Sequence, residues 1–214
     1  MAILDFTRDS LFASSTIPTF LFEFLDIIIM SLALGYIFQE YFKPYHREKS
    51  QNYDPLTNLK SKFNKQTIGT SLKYSIIAVA PAIVLHELAH KFVGLSFGVP
   101  STFYASYGFL IIGIVLKLVS SPFLFFVPGF VSHPQTTPFI SSMIAVAGPL
   151  TNLLIWGIAV ILIKNNKYFQ FSEKTLMILG FMRKINIFLF FFNMIPLPPF
   201  DGYQFFAGIF QVFF

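Results

Sequence analysis

Long apolar runs separated by short polar connections dominate the chain. Residues 17–38, 73–97, 139–163 and 175–195 are each apolar over a length sufficient to cross a bilayer as a helix, which takes about 20 residues at about 1.5 Å each. The pattern predicts four transmembrane helices. Gly98 and Pro100 stop the second, and the polar turn 164–174 separates the third from the fourth. The one long polar stretch, 40–72, carries Lys43, Arg47, Lys49, Lys60, Lys62 and Lys65 among turn-formers and reads as a loop with one short surface helix. His46 within it reads as a solvated histidine. Residues 1–16 hold Asp5, Arg8 and Asp9 and lack the basic flank and apolar centre of a cleaved signal peptide.

Residues 103–131 fit this scheme poorly. They are apolar except for Lys117, yet Gly108, Gly113, Pro122, Pro128 and Gly129 interrupt them. Residues 123–127 favour a strand closed by Pro-Gly. His133, in the turn-rich connection that follows, reads as a solvated loop residue. Glu23 and Asp26, one turn apart near the start of the first span, are expected to reach for the membrane interface. Arg183 and Lys184 interrupt the fourth span and need a polar cavity, a partner or a route to the interface.

The second span holds the chemistry. His86 and His90 are four residues apart, so on a helix they lie one turn apart on one face. Two imidazoles so placed can grip one zinc ion, and Glu87 can take a proton from water held there. From Tyr74 to Leu85 the only polar side chains are Tyr74 and Ser75. Three ionisable groups in so oily a setting raise the cost of insertion, which favours a site over a satisfied core histidine. A catalytic zinc takes three protein ligands and keeps one position open. Asp201 is the natural third ligand. It follows Pro196, Pro198 and Pro199, which break the helix beside it, and broken helices at membrane depth are tolerated where they line a polar cavity.

Composition sharpens the class. Charged residues make up 12% of the chain and hydrophobic ones 55%, whereas soluble domains carry about twice that charged fraction. The fold class expected is an all-α integral membrane protein, with residues 1–214 forming one membrane-embedded domain. There is no cysteine, so a zinc site must use His, Asp or Glu. The net charge of +5 comes mostly from the polar connections, which suits contact with the anionic headgroups of the lipid bilayer. Nucleic acid is a poor partner for basic residues that form no folded soluble domain.

The motifs resemble those of the site-2 proteases, the intramembrane zinc metalloproteases of peptidase family M50. That family carries H-E-x-x-H on one membrane helix and N-x-x-P-x-x-P-x-D-G further along, here His86 to His90 and Asn193 to Gly202. An A-G-P-x-x-N element, here Ala147 to Asn152, lies between them. The resemblance covers about residues 74–202. It implies His86, His90 and Asp201 as Zn²⁺ ligands, Glu87 as general base, and Asn193 and Asn152 as holders of the substrate backbone. It further implies a multi-pass enzyme of the cell membrane that cleaves peptide bonds in or near the transmembrane segments of other membrane proteins. Phe200 stands where the family usually has leucine, and Tyr203 and Gln204 replace its common glycine and arginine. No stretch of the 214 residues corresponds to the extra helices, PDZ domains or CBS domains of some members.

Zinc chemistry demands that Asp201 lie at the depth of the two histidines. The third and fourth spans return the chain to the face where they began, so residues 103–131 must make no net crossing. The expectation is a re-entrant segment with a short helix and a small hairpin or strand, which the family places against an unfolded substrate segment by strand addition. Orientation is left open: basic residues in 40–72 and 164–174 put the zinc near the outer face, whereas the family implies the cytoplasmic side. Two other functions use similar residues. A metal carrier has no need of Glu87, and a non-catalytic zinc-binding membrane protein would normally have lost Glu87 or a ligand.

Overall fold

The computed structural model describes residues 19–42, 65–121 and 127–213. Four helices in it are long and apolar enough to cross a membrane. Helix α1 (Thr19–Phe38) continues into a 3₁₀ turn at Gln39–Phe42, and α2 (Lys65–Ser96) carries the histidines. Next come β1 (Thr102–Ala105), α3 (Tyr107–Leu118) and β2 (Gly129–Ser132). The long α4 (Pro138–Lys164), a one-turn α5 (Asn166–Phe169), α6 (Glu173–Asn193) and α7 (Asp201–Phe213) complete the chain. Helix α2 begins eight residues before the predicted 73. Residues 1–16, His46, the surface helix expected within 43–64 and strand residues 123–126 lie outside the described residues.

The termini of α4 and α6 follow from local sequence. Thr137 caps α4 by accepting from Ile140 N, with Pro138 in the first helical position. Ser172 caps α6 by accepting from Thr175 N at 3.2 Å. Lipid offers no hydrophobic drive for helix association, so close packing and hydrogen bonds must supply it. Accordingly Ala78, Ala82, Ser71 and Ser75 of α2 are fully buried. Phe20, Phe24, Ile28 and Leu32, at four-residue intervals on α1, are exposed as a lipid-facing stripe. Met30 and Leu34 of the opposite face join Val79, Ile83, Phe103, Ala105 and Leu110 in one core.

The region between the second and third spans makes no crossing. Strands β1 and β2 pair antiparallel, with Thr102 opposite Ser132 and Ala105 opposite Gly129, so the chain leaves and returns at one level. Helix α3, 12 residues long, spans about 18 Å, well short of the roughly 30 Å of a bilayer core. Strand β2 occupies 129–132, opened by the Pro128-Gly129 pair, whereas the strand expected at 123–127 lies, except for Val127, outside the described residues.

Glu23 and Asp26 are a correction. Both are buried, and neither extends towards an interface. Glu23 Oε1 accepts from Phe103 N at 2.9 Å, and its other oxygen pairs with Lys91. Asp26 accepts from the Tyr107 hydroxyl at 2.5 Å. The pair ties α1 to the histidine helix and to the re-entrant segment. Helix α7 lies against the start of α4, where Gly208 leaves no room for a side chain: a Cβ there would fall 2.2 Å from Ser142 Oγ. Ser142 Oγ bonds Pro138 O at 2.9 Å and reaches Phe205 O at 3.3 Å.

Candidate metal centre

Helices α2 and α4 face each other antiparallel, and the start of α7 closes over them. His86 and His90 project from successive turns of α2 with their ring centroids 4.7 Å apart. Their Nε2 atoms are 3.1 Å apart. Asp201 Oδ2 lies 3.1 Å from His86 Nε2 and 3.4 Å from His90 Nε2. The structure thus brings these three residues, separated by up to 115 positions, to one point. Among the described residues they form a group whose ligand atoms all lie within 4.8 Å of one another and can hold a metal ion.

The remaining ring nitrogens explain how that point is charged. His90 Nδ1 lies 2.7 Å from Ile144 O, a carbonyl that can only accept, so Nδ1 carries the hydrogen. His86 Nδ1 lies 2.5 Å from Asn152 Oδ1 and donates likewise. Each neutral imidazole therefore turns the lone pair of Nε2 inwards. Two lone pairs and a carboxylate oxygen this close repel unless a cation or shared protons lie between them. Zinc at about 2.0–2.1 Å from each ligand, in tetrahedral geometry, would separate ligand atoms by about 3.3 Å. The three observed separations fall within a few tenths of that value, so the residues fit the ion.

Gly148 makes the convergence possible. A Cβ at this position would lie 2.3 Å from His90 Nε2 and 2.6 Å from His86 Nε2. Ile144, Gly148 and Asn152 recur every four residues, so one face of α4 supplies the partner of His90, a gap for both rings and the partner of His86. The Ala-Gly-Pro-x-x-Asn element thereby acquires a physical meaning. Two contributors escape the sequence reading: the Ile144 carbonyl, which leaves no trace in side-chain identity, and Asn186, a lone amide in an oily span.

The centre opens into a cavity of about 580 Å³. Glu87 is buried, at 9% exposure, and lines it beside the two histidines. Asn193, at the end of α6, also lines it; its Nδ2 donates to Leu189 O at 3.0 Å. Phe188, Phe192, Pro199 and Phe200 form an apolar wall, and β2 contributes Gly129, Phe130 and Val131. Arg183 and Lys184 are both exposed, and Lys184 also borders this cavity, whereas Arg183 lies outside its lining. His133 is half-buried and borders the same cavity without joining the triad. Asn152 is fully buried and lies outside the cavity lining.

No protein-family model matches the chain, and no solved structure matches it. Curated proteins do. Over 133 residues it is 39% identical to "Putative zinc metalloprotease MJ0611" of Methanocaldococcus jannaschii, a match covering 60% of this chain and 66% of that protein. Over 151 residues it is 28% identical to "Putative zinc metalloprotease YwhC" of Bacillus subtilis, covering 62% of this chain and 67% of the relative. The chain therefore spans just under two thirds of the archaeal relative's length. Fold and site define a membrane-spanning helical protein with a buried two-histidine, one-carboxylate centre, similar to proteins named as zinc metalloproteases.

Proposed function

We propose that this chain is an intramembrane zinc metalloprotease of the site-2 protease family, acting on transmembrane protein substrates within the cell membrane. The observation that carries the reading is the meeting of His86 Nε2, His90 Nε2 and Asp201 Oδ2 within 3.4 Å of one another, with Glu87 in the same cavity. Two imidazoles and a carboxylate are the donor set of hydrolytic zinc sites, and both relatives are named for zinc. Bound by these three residues, zinc supplies Lewis acidity towards a peptide carbonyl and lowers the pKa of water to about 7.

The chain's own residues do the rest. Glu87 accepts a proton from the attacking water and delivers it to the leaving amine. Asn193 borders the cavity with its amide oxygen available to a substrate backbone N–H. Strand β2 pairs with β1 alone among the described residues, so its other edge suits an extended segment added as a third strand. A helix hides its carbonyls in its own hydrogen bonds, so the substrate must unwind locally before hydrolysis. The aromatic wall of the cavity receives the apolar side chains of such a segment.

The test is cleavage of a panel of membrane-spanning peptides by purified, zinc-loaded protein in lipid vesicles. Glu87→Gln is expected to lower the rate by about 10²–10⁴-fold, the usual worth of a positioned acid–base group, while zinc stays bound. Cleavage that survives this change would defeat the role given to Glu87. Zinc flux across the vesicle without cleavage would make the protein a carrier.

A further inference from the structure

Asn152 and Asn186 are both fully buried, on facing turns of α4 and α6. Their orientations follow from groups that can only accept. Asn186 Nδ2 donates to Met182 O at 2.8 Å, so its oxygen must be the atom that faces Asn152. Asn152 Nδ2 lies 2.8 Å from Asn186 Oδ1 and 2.8 Å from Ala82 O. Both hydrogens of that amide are thereby used, and its oxygen is left pointing at His86 Nδ1. A reversed Asn152 amide would set its oxygen against two acceptors and its NH₂ against His86. His86 Nδ1 would then have to accept, and its Nε2 would carry a hydrogen into the metal position.

We propose that Asn186, acting through Asn152, is a positioning residue for His86: it locks the Asn152 amide and thereby fixes the tautomer and ring orientation in which His86 ligates the metal. This rests on the zinc-hydrolase reading above. It gives Asn152 a role other than substrate contact, for which it has neither exposure nor a spare donor. The lock needs both acceptors. Ala82 O belongs to the histidine helix itself, so it moves with His86, whereas Asn186 joins a third helix to the centre. Partners one step behind a ligand typically hold 10–100-fold in metal affinity.

Zinc affinity is read by chelator competition on the protein without substrate, with the visible spectrum of the cobalt-substituted protein as the report of ligand geometry. Asn152→Leu is expected to weaken zinc by up to about 100-fold, and Asn186→Leu by about tenfold. The cobalt spectrum shifts in both. Because one acts through the other, the double substitution should be no worse than Asn152→Leu alone. An unchanged affinity and spectrum in folded Asn186→Leu, or effects that simply add, would overturn the proposal. Should Asn186→Leu fail to fold, nitrogen-15 NMR of the zinc-loaded parent decides: His86 must carry its hydrogen on Nδ1, and ligation through Nδ1 would overturn the assignment. A parent that binds zinc but cleaves nothing removes the hydrolase reading, and these affinities still decide the lock. A parent that binds no zinc removes both.

Discussion

Two groups of carboxylates are held within the helical bundle, and the protein treats them in opposite ways. At the metal centre, Asp201 faces two imidazole nitrogens whose hydrogens have been drawn to the far side of each ring by Asn152 and Ile144. No lysine or arginine joins it among the described residues. On the other side of α2, Glu23 meets Lys91 and the Phe103 N–H, and Asp26 meets the Tyr107 hydroxyl. One arrangement presents acceptors to an outside cation. The other closes its charges with the protein's own donors and works as a strut. A carboxylate at this depth is costly unless something answers it, so the nature of its neighbours separates a ligand from a fastening.

The largest effect that tests this division comes from Gly148→Ala. The added methyl would sit on both ligating nitrogens, at 2.3 and 2.6 Å. Neither ring can swing away without breaking its Nδ1 bond. Zinc affinity should fall by roughly 100-fold or more, at least the loss seen when the support of a ligand is removed, and the metal-free protein should lose about 1–3 kcal/mol of stability, the usual cost of overpacking a close-packed site. Normal zinc binding in this variant would show that the rings do not converge as described.

Glu23→Leu is the converse. It leaves the Lys91 ammonium and the Phe103 N–H unanswered in a buried setting, a loss of roughly 3 kcal/mol, the low end for a broken buried ion pair. Thermal unfolding in detergent reports it. Zinc affinity should stay within about threefold, under 1 kcal/mol. Glu23→Gln keeps an oxygen for Phe103 and should fall between parent and Glu23→Leu. If Glu23→Leu lost zinc as severely as Gly148→Ala, the strut and the metal centre would be one unit and the comparison would fail.

The sequence makes the two regions unequally readable. The spacing of four positions from His86 to His90 is enough to place both on one helical face, and the proline cluster before Asp201 marks a break in the span. The absence of a crossing in 103–131 follows from chain geometry once Asp201 must reach the histidines. The strut carries no such local mark. Lys91, Phe103 and Tyr107 lie 68, 80 and 81 positions from the acids they bind. Read alone, Glu23 and Asp26 near a helix end look like side chains reaching for water. Asn186 is hidden for the same reason: only folding brings α6 against α4. Gly148 was visible as part of a motif, but the collision it avoids is with rings 58 and 62 positions earlier in the chain.

The smallest predicted effect probes how completely the strut is closed. Asp26 is 1% exposed and accepts from the Tyr107 hydroxyl at 2.5 Å. Tyr107→Phe removes that donor and keeps the ring, so packing at the start of α3 is preserved. A hydrogen bond to a charged group is worth about 1.5–3 kcal/mol in water-soluble proteins, but bonds within membrane bundles average about 0.6 kcal/mol, because the membrane-unfolded chain also finds partners. A loss of about 1 kcal/mol, read as a lower unfolding midpoint in mixed micelles, is therefore expected, with zinc affinity unchanged. The same substitution should raise hydrogen exchange at the amides of β1 and β2 more than at those of α4, since α3 joins the two strands. Equal exchange in both regions would mean that the hairpin is held to the bundle by its own packing, with Asp26 contributing nothing to its position.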